Sequence, residues 1–178
     1  MPEDPRLDAL REAQSQRFYG KYRGKVVNNV DPQNRGRLQV IVPEVTGENV
    51  PRWALPAVPY AGNGVGFFTL PPLDTSLWVE FEAGNLRYPI WTGCFWGEGE
   101  IDAADAVPGV KFLKTGMASI RVDDDAGEVR IEVAGAAITR TASEVKISAA
   151  TILNEANGGK TQLTAGGFDA QQGAFKVV

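Results

Sequence analysis

The chain has 178 residues, 43% of them hydrophobic, with 18 basic against 22 acidic side chains for a formal charge of -4, one cysteine and no histidine. That length admits one ordinary domain, or a compact domain with an appended module. The weak negative charge argues against dependence on a nucleic-acid backbone, and the missing histidines exclude Ser-His-Asp and Cys-His nucleophilic sites, histidine acid–base catalysis and most zinc or iron centres.

Residues 1–19 read as an N-terminal helix or arm, because Pro2 and Pro5 sit at or before a first turn while Leu7 and Leu10 recur at helical spacing. No stretch approaches the ~20 apolar residues that span a bilayer, and the opening MPEDPRLDALREAQ is charged where a signal peptide is apolar. A soluble protein made in the cytoplasm is expected. From residue 20 to 97 the pattern is short strands separated by turn residues. Residues 24–29 (GKVVNN) lead into the turn cluster 31–36 (DPQNRG), and 37–43 (RLQVIVP) alternates with Leu38, Val40 and Val42 on one face, a hairpin with a longer loop. Further strands are expected at 53–58, at 66–70, at 76–82 with Leu77, Val79 and Phe81 opposing Trp78, Glu80 and Glu82, and at 89–96. Five or so short strands punctuated by Gly and Pro predict a small barrel of the OB-fold kind. In it Asp31-Pro32 fixes a turn, Gly36 lets the chain reverse, and Gly62, Gly64 and Gly66 permit backbone forbidden to other residues. The Trp and Phe rings are expected to fill the barrel, and Cys94, between Trp91 and Phe95, to be a buried, unreactive thiol.

Composition changes at Gly97. Residues 1–97 hold all four Trp, ten of eleven Pro and 13 of 16 aromatics with ten basic and ten acidic side chains, whereas 98–178 hold eight basic and twelve acidic ones. An acidic linker, 98–109, precedes a tail, 110–178, with short Val/Ile strands expected at 110–114, 119–123, 128–133, 136–141 and 144–152. Ile120, Val129, Ile138 and Ile147 recur every nine residues, which suits a strand and tight turn repeated. Each strand offers one row of two or three medium-sized apolar side chains. At roughly 1.5–3 kcal/mol per fully buried Val or Ile, against ~1–2 kcal/mol of backbone entropy per ordered residue, such a tail is marginal alone. Copies of the chain closing around a shared axis would supply the missing burial and cover the strand edges. Ile120, Val122, Val129, Ile131, Val133, Ile138, Val145, Ile147 and Ile152 are the candidates for that shared core.

The residues Tyr22-Arg23-Gly24-Lys25-Val26-Val27-Asn28-Asn29-Val30-Asp31-Pro32, followed by Gly36-Arg37-Leu38-Gln39-Val40-Ile41-Val42-Pro43, resemble the opening of the OB domain in phage baseplate assembly protein V. That protein is the central spike of contractile tails, and type VI secretion spikes (valine-glycine repeat protein G) and extracellular contractile injection systems share the domain. The likeness continues through Pro59-Tyr60-Ala61-Gly62, Trp78-Val79-Glu80-Phe81-Glu82 and Pro89-Ile90-Trp91-Thr92-Gly93, and covers about residues 20–97. Gly24, Asp31, Pro32, Gly36, Arg37, Pro59, Tyr60, Gly62, Trp78, Glu80, Phe81, Trp91 and Gly93 carry it.

The resemblance implies an all-β homotrimer: three OB barrels under the tail tube, then a short trimeric β-prism or triple-stranded β-helix that pierces the target envelope when the sheath contracts. It implies partners in the baseplate hub and tube, transient contact with the target membrane, and a place in a phage virion or injection-system particle, with the point either formed by the chain's own end at 164–178 or, as expected here, supplied by a separate PAAR-like tip protein. No catalytic residue, cofactor or metal is expected, and without histidine no iron tip of the histidine-bound kind can form. Glu80 with Glu82, and Asp123-Asp124-Asp125, are the best material for an enzyme, but the first pair faces outward from a strand and the triplet reads as a turn. A nucleic-acid- or carbohydrate-binding OB module is the alternative, set against the balanced charge of residues 1–97.

Overall fold

The computed structural model describes residues 17–170 and 175–177. The expected N-terminal helix lies outside these except for residues 17–19, which are irregular. Packing divides the chain into two units, one ending at Glu100 and one starting at Ile101.

The first unit contains β1 (Tyr22–Asn28), β2 (Leu38–Ile41), β3 (Arg52–Pro56), the two-residue strands β4 (Ala61–Gly62) and β5 (Val65–Gly66), β6 (Ser76–Phe81) and β7 (Pro89–Cys94). Strands β1, β2, β3, β7 and β6 close in that order into a barrel. Its pairings are antiparallel except for β3 with β7, where Leu55 and Pro56 run parallel to Ile90 and Trp91. This is the five-stranded OB barrel. Alternation built it: Leu38, Val40 and Val42 are 0%, 1% and 2% exposed, and Leu77, Val79 and Phe81 are likewise buried while Trp78 and Glu80 face outward.

Gly24 sits where β1 crosses between β2 and β6. A Cβ there would lie 2.9 Å from the Ile41 carbonyl oxygen and 3.1 Å from Val79 Cγ2. Backbone in a closed barrel cannot easily yield, so Gly24→Ala is expected to cost about 1–3 kcal/mol. The urea midpoint of the barrel transition should fall with its slope unchanged.

Four expectations for this unit need correction. Residues 67–70 form no strand, because Phe67 and Phe68 point outward and Pro71-Pro72 offers no amide for a ladder; only the short β4–β5 pair precedes them. The interior is mainly aliphatic, filled by Val26, Leu38, Val40, Val42, Ala54, Leu77 and Val79. Of the Trp and Phe rings only Phe81 and Trp91 are buried, since a barrel this narrow takes rings near its ends. Phe81 packs with Phe18 and Tyr22, and Trp91 Nε1 donates to the Gly36 carbonyl at 3.3 Å. Cys94 is exposed at the end of β7, although desolvation still pushes its thiol pKa up. Of the three glycines near the β4–β5 turn, only Gly64 has a positive φ, 71°.

In the second unit, β8 (Val110–Lys114), β9 (Ala118–Asp123), β10 (Glu128–Val133), β11 (Ala136–Arg140) and β12 (Val145–Ser148) form one antiparallel meander. A second meander follows, of β13 (Thr151–Ala156), β14 (Gly159–Thr164), β15 (Gly167–Ala170) and β16 (Phe175–Val177). The single strand expected over 144–152 is thus two, broken at Ala149-Ala150 and assigned to different sheets. Two-residue turns with positive φ at both positions, Ala134-Gly135 (48° and 89°) and Asn157-Gly158 (48° and 83°), join β10 to β11 and β13 to β14.

Candidate assembly interface

The registers of the first meander bring Leu113, Ile120, Ile131, Ile138 and Ile147 into one row across its five strands. Directly opposed residues share a face, and so do residues two apart along a strand. The same face therefore carries a second row, Lys111, Val122, Val129, Arg140 and Val145, and a third of Ala118, Val133 and Ala136. The nine-residue spacing was not the register. Ile120 lies opposite Ile131 and Val129 opposite Val122, because a meander reverses direction at every turn and a constant interval cannot align all its strands.

Burial is inverted at the centre of this sheet. Along β10, Val129, Ile131 and Val133 are 40%, 44% and 50% exposed, while Glu128, Arg130 and Glu132 between them are half-buried. The charged face is knitted together. Arg130 pairs with Glu132 at 2.8 Å, and Arg121 meets Asp123 at 2.8 Å and Asp105 at 3.5 Å. Asp105, from the acidic segment before β8, also holds Lys114 at 3.0 Å. Asp123 belongs to the turn expected for the acidic triplet: it accepts from the Ala126 amide at 2.9 Å, and with Arg121 this holds its carboxyl below the usual range. Asp124 pairs with Lys111.

In the second meander Ile152 opposes Leu163, which opposes Phe168. Phe168 and Phe175 meet edge-on at 6.4 Å, and Leu163, Phe168 and Phe175 are exposed. Eight of the nine core candidates thus fall on one face of the first meander, and Ile152 on the apolar row of the second. Sequence reading missed Leu113, Leu163, Phe168 and Phe175. In β8 the apolar residues Val110, Phe112 and Leu113 do not alternate cleanly, so only pairing with Ile120 tells which face Leu113 takes.

The family-motif residues serve the barrel. Asp31 is 8% exposed and receives the amides of Gln33 (2.9 Å), Arg35 (2.9 Å) and Arg37 (3.2 Å), together with Arg37 Nε (3.1 Å) and its terminal nitrogen (2.7 Å). The Arg37 guanidinium above all, with the three amides, holds the Asp31 carboxyl far below the usual carboxylate range. Arg37 also lies 5.1 Å over the Trp53 ring. Pro32 stands in the turn so held, and Gly36, at φ 70°, closes it. On the outer wall Trp78 stacks on Phe95 at 4.7 Å, with Arg23 over both rings, and Glu80 pairs with Lys21 at 2.6 Å. Gly93, at φ 138°, falls in the irregular step of the β6–β7 pairing. Pro59 and Tyr60 lie in the loop after β3 and Gly62 ends β4, and the Tyr60 carbonyl accepts from the Phe67 amide at 2.9 Å. This loop and the barrel end enclose a cleft of about 430 Å³ lined by Gly36, Pro56, Tyr60, Phe67, Phe68 and Trp91 among others. Among the described residues no cluster of three or more His, Cys, Asp or Glu side chains could hold a metal ion.

Chemically, the barrel offers a locked turn and an apolar cleft, and the first meander offers a continuous apolar face with a neutralised back. Residues 22–96 match the family model described as the type VI secretion system/phage-baseplate injector OB domain. A search of curated proteins finds no match to the chain.

Proposed function

We propose that the protein is a baseplate component of a phage tail or injection system, a reading supported by the match of residues 22–96 to the type VI secretion system/phage-baseplate injector OB domain, and that it is the central spike: a homotrimer whose C-terminal sheets face one another across a shared axis. The carrying observation is the inverted burial along β10, where apolar side chains are more open than the charged ones between them. Leu113, Ile120, Val129, Ile131, Val133, Ile138, Val145 and Ile147 are all 40% or more exposed. Covering what remains of eight such side chains is worth on the order of 10 kcal/mol per chain before the costs of association. Within the described part of the C-terminal unit these side chains stay 40% or more exposed, so a second copy is the source of cover in this reading.

In this reading the barrels join the hub and tube, a PAAR-like protein caps the far end, and sheath contraction drives the assembly into the target envelope. The work is mechanical rather than catalytic. Continuous strand-to-strand hydrogen bonding within each sheet and dry packing between sheets resist unfolding under load. Static light scattering at micromolar concentration should return three times the 19.2 kDa chain mass, and a stable monomer would overturn the reading.

A second reading, an OB module for single-stranded nucleic acid or carbohydrate, draws on exposed Tyr60, Phe67 and Phe68 beside the cleft. With charge balanced over residues 1–97, no saturable binding is expected in an anisotropy titration of labelled single strands and oligosaccharides at physiological salt. Saturation would favour the module.

A further inference from the structure

We propose, resting on the trimeric reading above, that each chain supplies one whole face of the shaft and that the small-residue flank of one copy's sheet receives the valine flank of the next. A triple-stranded helix in which strands of different chains interleave is a different arrangement, and the connections of this chain oppose it. Ala134-Gly135 joins β10 to β11 with Val133 directly opposite Ala136. Every adjacent pair from β8 to β12 is likewise bonded within the chain. A foreign strand needs ~4.8 Å on each side, and a two-residue turn leaves no such gap. Copies can therefore meet only by faces or outer edges.

The face itself is asymmetric. Beside the central Leu113–Ile120–Ile131–Ile138–Ile147 row, one flank carries Val122, Val129 and Val145 with the charged ends Lys111 and Arg140. The other carries Ala118, Val133 and Ala136 and is concave: a groove of about 270 Å³ lies there, bounded by Ile131, Val133, Ala136, Ile138, Ile147 and Ala149 among others. Strands of five or six residues span about 17–20 Å, enough for one side of a triangular prism whose axis follows the central row. Three-fold rotation then sets the left flank of each sheet against the right flank of its neighbour, a heterologous contact that closes after three copies. The valine flank fills the alanine groove. Lys111 and Arg140 fall at the corner, where their stems cross the neighbour's small residues and their charges stay in water, which explains two cations on an otherwise apolar face.

Cysteine pairs test this in the full chain with Cys94→Ser. Ala136→Cys, on β11, is combined in turn with Val122→Cys, Val129→Cys or Val145→Cys, which lie two strands before, one strand before and one strand after it in the sheet. Within one chain Val129 opposes Arg140, four residues along β11 from Ala136, so the two are about 13 Å apart and beyond the ~7 Å reach of a disulfide. Mild oxidation should convert at least one pair mostly to a covalent trimer on non-reducing denaturing gels, while Ala136→Cys alone gives none. A native trimer by light scattering in which none of the three pairs cross-links, or in which Ala136→Cys alone does, overturns the flank arrangement and leaves the trimer standing. A monomer before oxidation overturns the trimer itself.

Discussion

Ile131→Asp is expected to dissolve the assembly into monomers while the barrel stays folded. Ile131 is the middle member of the apolar row, flanked by Ile120 and Ile138 on adjacent strands. In a trimer packed on that row, three aspartates converge in dry surroundings. Each uncompensated buried charge costs about 3–5 kcal/mol, and the three repel one another. In a monomer the same side chain sits on an exposed face and costs little. The mass by light scattering should fall from three chains to one, 19.2 kDa. Thr139→Asp, on the charged face one strand away, should change stability by no more than about 0.5 kcal/mol and leave the mass unchanged. Survival of the trimer with Ile131→Asp would mean that the apolar face is not what holds the copies together.

Asp31→Ala should be the most damaging single change in the barrel. It strands three amides and the Arg37 guanidinium around a buried site, the Asp31 side chain being 3% exposed, and it frees the loop that sets the start of β2. A fall in thermal midpoint on the order of 10 °C is expected, with Asp31→Asn intermediate because it keeps one acceptor. All four tryptophans lie within residues 1–97, so tryptophan fluorescence follows this unit selectively.

The same residue gives the barrel an acid limit. Arg37 and the three amides depress the folded-state pKa of Asp31, so the folded state binds fewer protons than the unfolded one as the pH falls. The stabilisation is complete above the unfolded carboxylate pKa of about 4 and is lost progressively below it, toward the lower folded value. Unfolding midpoints of the natural chain should drop steeply below pH 4, and those of Asp31→Ala less steeply. Equal slopes would show that the Asp31–Arg37 pair does not set the acid limit.

Much of the barrel was legible from the residues because period-two alternation is a local property. Leu38, Val40 and Val42 on one strand, and Leu77, Val79 and Phe81 on another, declare their buried face without knowledge of a partner. The turn was legible from Asp31-Pro32 and Gly36, but the Arg37 guanidinium on the Asp31 carboxylate was not, because that contact joins side chains six apart and depends on how the turn folds back. What the chain's order of residues could not reveal was which rings the interior would admit. Bulk and hydrophobicity put Trp53, Phe67 and Phe68 in the core; the narrow bore of a five-stranded closure keeps them out.

In the C-terminal unit the division is sharper. Composition alone determined that 98–178 is acidic, poor in aromatics and rich in short Val/Ile strands, hence too thin to form a core by itself. Only the tertiary structure decided which of those residues meet. Strand register depends on turn length: the two-residue Ala134-Gly135 turn and the four-residue turn at 124–127 produce separations of seven between Ile131 and Ile138 but eleven between Ile120 and Ile131. A single row of five apolar side chains thus emerges from unequal intervals that no fixed period describes, and all five are exposed on one face of the sheet.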